Sequence, residues 1–139
     1  MFILHPVNQK KQNAMQAVHT ADAPAAIGPY AQAIQVGQLL FCSGQTPLDP
    51  ATMTVHTTTI EAQTQQVLEN LEAVLKAAGA SRAKVVKTTV FLKNFADFER
   101  MNGVYASFFG EHKPARSTVE VSRLPKDSLV EIECIAALG

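Results

Sequence analysis

From Ile60 to Ala78 the chain repeats a stripe at steps of three and four: Ile60, Thr64, Val67, Leu68, Leu71, Val74, Leu75 and Ala78. That spacing predicts a helix with one apolar face. Glu61, Gln65, Glu69, Glu72 and Lys76 fall opposite, toward water. Thr58 and Glu61 have capping-box spacing, and Gly79 follows the last stripe position, so both ends are marked. A helix of this kind must lay its stripe on another layer, and the flanking sequence supplies strands.

Ala31–Val36 and Leu39–Ser43 are apolar and β-prone, and Gly37-Gln38 between them suits a two-residue type II′ hairpin turn. Pro24, Gly28 and Pro29 make Ala21–Tyr30 an irregular lead-in, and Gly44 to Pro50 reads as a loop. Lys84–Lys93 predicts a strand with Val86, Thr88, Val90 and Leu92 on one face and Val85, Lys87, Thr89 and Phe91 on the other. Asn94 is placed to cap a second helix reaching about Phe109, with Phe95, Phe98, Met101, Tyr105 and Phe108 as its buried positions and Gly110 at its end. Arg116–Ser122 and Leu129–Ala137 are read as a closing hairpin around Pro125-Lys126-Asp127.

The order β-β-α-β-α-β-β predicts a single α+β domain, one sheet with both helices on one face. No segment is left to cover the other face, so a closed symmetric oligomer is the expected solution. Hydrophobic residues make up 47% of the 139-residue chain and charged residues only 17%, which fits surface buried between subunits. Residues 1–20 are read as an N-terminal extension or an ordered arm, with Met15 an alternative start, and 21–139 as the domain.

Twelve basic and twelve acidic residues cancel, so the overall charge gives no footing for a nucleic-acid partner. No apolar run approaches a membrane span, and no signal-peptide pattern occurs. Cys42 and Cys134 sit in apolar runs without metal spacing, and the four histidines are scattered. The expectation is a cytoplasmic chain with no metal and no cofactor.

Candidates for chemistry are few. Arg116 opens a strand and shares a face with Thr118 and Glu120; a guanidinium there is either a carboxylate-binding fork or a surface arginine paired to an acid. Glu131 and Glu133 alternate with Val130, Ile132 and Cys134 on the last strand. They are either a solvated face or an acid across the hairpin from Arg116, able to activate a water. Ser43-Gly44-Gln45 is either a ligand-approach point or a plain turn, and Tyr30 and Asn102 are isolated polar residues. No phosphate loop, nucleophile elbow or zinc-protease motif is present.

In order along the chain, Ala23-Pro24-Ala25-Ala26-Ile27-Gly28-Pro29-Tyr30, Ser43-Gly44-Gln45 with Pro47, Val86-Lys87-Thr88-Thr89-Val90-Phe91-Leu92, Pro114-Ala115-Arg116-Ser117, Arg123-Leu124-Pro125-Lys126-Asp127 and Val130-Glu131-Ile132-Glu133 resemble the Rid (YjgF/YER057c/UK114) family over residues 21–139. The resemblance implies a chorismate-mutase-like fold and a homotrimer with a barrel-like core and clefts between subunits. It implies hydrolysis of 2-iminobutanoate or 2-iminopropanoate to a 2-keto acid and ammonia, as in the RidA-type deaminases. It places Arg116 on the substrate carboxylate and Glu131 on the attacking water, with Tyr30, Ser43, Gly44, Phe98, Asn102 and Thr118 lining the cleft. Position 118 is a cysteine in many members, so a thiol nucleophile is not available here, and the rim stretch Glu111-His112-Lys113 is shorter than in some relatives. Two other readings stand beside it: a ribonuclease or translation inhibitor, for which some relatives were named, and a trimer that binds carboxylates or acts as a chaperone without turnover.

Overall fold

The computed structural model describes residues 14–139. Its elements are β1 (Met15–Val18), β2 (Ala33–Val36), β3 (Leu39–Gln45), α1 (Ile60–Ala77), β4 (Val85–Leu92), α2 (Phe98–Phe109), β5 (Ala115–Glu120) and β6 (Val130–Ala137). Short 3-10 turns fill 82–84, 95–97 and 125–127. The six strands form one sheet in the order β1-β2-β3-β6-β4-β5, giving the expected α+β domain.

The helix stripe behaves as its period requires. Ile60, Thr64, Val67, Leu68, Leu71, Val74 and Leu75 are all buried. The cap lies one residue later than expected: Thr59 accepts from the Ala62 amide, 3.2 Å. α2 adds Met101, Tyr105, Phe108 and Phe109 to the same core, whereas Phe95 is 45% exposed and stacks on Phe98 instead. Gly37 takes φ +56, the left-handed value that the first position of the hairpin turn demands.

Two expectations are corrected. The last two strands are not a hairpin. β5 pairs in parallel with β4, and β6 runs antiparallel between β3 and β4. The apolar alternation of β6 is buried on one face and bordered on both sides, so it takes the central slot, and β5 is left at the edge. In β4 a register shift between Val85 and Lys87 moves Val85 into the core and leaves Val86 45% exposed, reversing the expected faces at that end. An element absent from the sequence reading also appears: Met15–Val18 pairs with β2, so this part of the extension is an ordered edge strand, while residues 1–13 lie outside the described residues.

The second sheet face has no cover among the described residues. Leu39 and Phe41 of β3 and Val119 of β5 are each more than 40% exposed on it. Cys42 and Cys134 are register partners on the covered face, buried and free. The Cys134 thiol is pushed up by its hydrogen bond to Cys42 and by burial. No helix among the described residues is long and apolar enough to cross a membrane, and no cluster of three metal-ligating side chains occurs among them.

Candidate functional site

The expected site residues fall into two groups on opposite faces of the sheet. The first surrounds a cleft of about 570 Å³ lined by Tyr30, Ser43, Gly44, Glu131 and Glu133, with Ile27, Leu48 and Pro125 as apolar walls. Ser43 donates its hydroxyl to the Ala31 carbonyl at 2.6 Å, and its amide bonds the Gln32 carbonyl, so the end of β3 is locked to the irregular segment before β2. Tyr30 is half-exposed and leans on the turn at Ile27.

Glu131 lies against the backbone of Gly44. A Cβ on residue 44 would sit 2.8 Å from Glu131 Oε2, so only glycine leaves the carboxylate its place. Among the described residues no hydrogen bond or ion pair reaches the Glu131 carboxylate. Burial first, and the neighbouring Glu133 second, push its carboxyl above the ordinary range. A carboxylate that is half-buried, unpaired and made more basic is suited to taking a proton.

Three buried amides hold loop backbone in place, and Gln32 itself lines the cleft. Gln32 bonds the carbonyls of Thr20 and Pro24 and the Thr20 amide. Asn70 donates to the carbonyls of Thr46 and Leu48. Gln63 donates to the Thr57 carbonyl and accepts from the Leu129 amide. The sequence reading passed over all three, although Gln63 and Asn70 stand a heptad apart on the buried side of α1, an unusual place for amides.

The second group is on the helix side of edge strand β5. Arg116 is register partner of Thr88, whose side chain is buried toward α2. Its guanidinium lies 4.8 Å from the Tyr105 ring centre and 5.6 Å from that of Phe98. No acid pairs with it among the described residues, and Glu120, its suspected partner, instead accepts from the Phe95 amide at 2.8 Å. Thr118 Oγ1 and Asn102 Oδ1 are buried there without a hydrogen-bond partner. Asn102, Tyr105, Phe109, His112 and Arg116 border a hollow of about 300 Å³.

The register separates these groups. Thr88 opposes Cys134 and Phe91 opposes Glu131, so Arg116 faces the helices while Glu131 faces the open side, with β4 between their strands. The hairpin contact between Arg116 and an acid of the last strand is therefore absent within one chain.

What the chain presents is an α+β domain with an arginine lacking an acid partner on one sheet face and an unpaired, half-buried carboxylate on the other. The chain belongs to the Rid family: residues 20–138 match the family described as Endoribonuclease L-PSP. It is 56% identical over 121 residues to a RutC family protein of Pyrococcus horikoshii, covering 87% of this chain and 96% of that protein. A Rid family protein, YyfA of Yersinia pestis, superposes with a TM-score of 0.88 at 49% identity, covering 90% of this chain and all of that one. TdcF of E. coli, solved with bound serine, superposes at 0.85 with 42% identity, covering 89% of this chain and 99% of that one.

Proposed function

We propose that the chain hydrolyses short 2-imino acids, such as 2-iminopropanoate and 2-iminobutanoate, to 2-keto acids and ammonia. The clefts doing so are completed by a neighbouring copy in a closed homotrimer. The observation that carries this is the Arg116 guanidinium: cationic, resting on aromatic rings, without an acid partner among the described residues. A planar fork in that state is a receptor for a carboxylate. TdcF with its bound serine supports a small α-carboxylate ligand in a relative of this size.

In this reading Arg116 holds the substrate carboxylate, the Thr118 hydroxyl donates to it, and the Asn102 amide oxygen accepts from the imine N–H. The copy across the interface brings Tyr30, Ser43, Gly44 and Glu131. Glu131 takes a proton from water as the oxygen adds to C2. The proton passes from Glu131 to the imine nitrogen, giving the carbinolamine; as this collapses its hydroxyl proton moves by way of Glu131 to the nitrogen, the C–N bond breaks, ammonia leaves and C2 becomes a ketone. This chemistry needs no cofactor. The exposed apolar sheet face, with Leu39, Phe41 and Val119, is the surface that the trimer would bury. The same cleft disfavours ribonuclease activity, the name carried by some relatives: Glu131 and Glu133 would repel a phosphate diester. Two buried free thiols fit a reducing compartment, and the cytoplasm is the proposed location.

The test mixes two inactive chains. Arg116→Ala and Glu131→Ala should each release almost no ammonia from freshly generated 2-iminopropanoate. Refolded together in equal amounts, they should regain about a quarter of wild-type activity, because random filling of a ring pairs an intact Arg116 with an intact Glu131 at that frequency. No ammonia from the wild type removes the reaction. An active wild type with a silent mixture removes the shared site.

A further inference from the structure

We propose that Tyr105, tethered by Thr88, is the positioning residue for Arg116: its ring is the floor that keeps the guanidinium open toward a carboxylate. The inference rests on the reading of Arg116 given above.

An arginine side chain has four flexible torsions and loses much of its value if it samples them freely. An acid partner would fix it, but would also occupy the fork and cancel the charge meant for the ligand. An aromatic face holds the cation through its quadrupole and leaves every N–H edge free. Arg116 is held this way, with its guanidinium 4.8 Å from the Tyr105 ring centre.

A floor must itself be fixed. Tyr105 and Thr88 share a hydroxyl–hydroxyl bond of 2.7 Å, and both residues are buried. Thr88 is the register partner of Arg116 on the adjoining strand. The tether therefore closes a short loop: from the Arg116 backbone to Thr88, through the phenol to the ring, and back to the guanidinium. Phe109 backs the ring at 4.7 Å. Burial pushes the Tyr105 phenol above its ordinary range, outweighing the opposing influence of Thr88 and Arg116, so the ring stays neutral and does not become a competing anion.

The experiment measures binding of 2-oxobutanoate, an unreactive product-class carboxylate, by calorimetry alongside ammonia release from 2-iminobutanoate. Tyr105→Leu removes the floor and should weaken 2-oxobutanoate binding about tenfold or more. KM should rise with kcat little changed, and the acid limb of the pH profile should stay in place. Tyr105→Phe keeps the ring and loses the tether, for a loss of about threefold. Thr88→Val should cost about the same, and Thr88→Val with Tyr105→Phe no more than Tyr105→Phe alone. A purely structural role would instead lower kcat and melting temperature together while KM and affinity held, and that result overturns the proposal. So does unchanged affinity in Tyr105→Leu, or additive losses from Thr88→Val and Tyr105→Phe, which remain readable if the leucine variant does not fold. If Arg116→Ala binds 2-oxobutanoate as well as wild type, the receptor reading falls and takes this inference with it; tight wild-type binding lost in Arg116→Ala but kept in every Tyr105 variant sinks this inference alone.

Discussion

Gly44→Ala adds one carbon where the β3 backbone meets the Glu131 carboxylate. The new methyl would lie 2.8 Å from Glu131 Oε2, 2.9 Å from Cδ and 3.1 Å from Cγ, against 3.4–4 Å for ordinary contact. Gly44 is not among the residues with positive φ, so alanine meets no backbone strain there. The cost falls on the carboxylate, which must retreat by about 0.6 Å or more, and misplacing a reacting group by an ångström costs on the order of 100-fold in rate. Stability should hardly move, because Gly→Ala at a tolerant site gains about 0.4–1 kcal/mol from the unfolded chain, offsetting the shift of a flexible side chain. We expect kcat for ammonia release to fall about 10- to 100-fold with KM and melting temperature near wild type. In a Glu131→Ala background, where the colliding atoms are gone, Gly44→Ala should change nothing further. Wild-type turnover in Gly44→Ala, or an equal loss on top of Glu131→Ala, would refute the placement of Glu131 as the acting group.

Three further outcomes are expected. Arg116→Ala should remain folded and lose about 2–5 kcal/mol of carboxylate binding by calorimetry, and Arg116→Lys should fail too, since a point charge does not replace a planar fork. Glu131→Gln should slow turnover on the order of 100- to 10,000-fold, while Glu133→Gln stays close to wild type at neutral pH. A base acts only when ionised, so activity falls as pH drops through the raised Glu131 value; removing the Glu133 charge lowers that value, and the acid limb of kcat/KM should move to lower pH. Asn70→Ala leaves the Thr46 and Leu48 carbonyls without their donor and should cost about 1–3 kcal/mol in chemical denaturation, with a looser cleft wall read as faster amide exchange around Thr46.

How much of this was legible in the sequence depends on the range of the interaction. The helix stripe of α1, the turn at Gly37 and the stop at Gly110 are local patterns, and each gave the right element. Strand partners are not local. Nothing between residues 116 and 137 distinguishes a hairpin from two strands separated by a third, and the slot of β6 is decided by β3 and β4 competing for its two edges. The shift at Val85–Val86 and the pairing of Met15–Val18 with β2 are likewise settled by neighbours far along the chain. At the site, Tyr30, Ser43, Gly44 and Glu131 do share a cleft, and Phe98, Asn102 and Arg116 cluster elsewhere, but spacing alone could give neither grouping.

The separation of those groups follows from the same alternation that builds the core. On β6, Val130, Ile132, Cys134 and Ala136 are buried against the helices, so Glu131 and Glu133 must face the open side. On β5 the even positions, Arg116 and Thr118, turn toward α2, and Val119 is left exposed on the open side. A slip of one residue in either strand would bury a carboxylate or expose the arginine, so the core fixes each half of the site by its own packing energy. It also forbids the halves from meeting within one chain. A reaction needing both must therefore draw its second half from another copy, and the exposed Leu39, Phe41 and Val119 of the open face are what would bring that copy into place. Catalysis and assembly then share one physical origin, and a variant that leaves the core intact but makes the open face polar, such as Phe41→Glu, should abolish turnover without unfolding the domain.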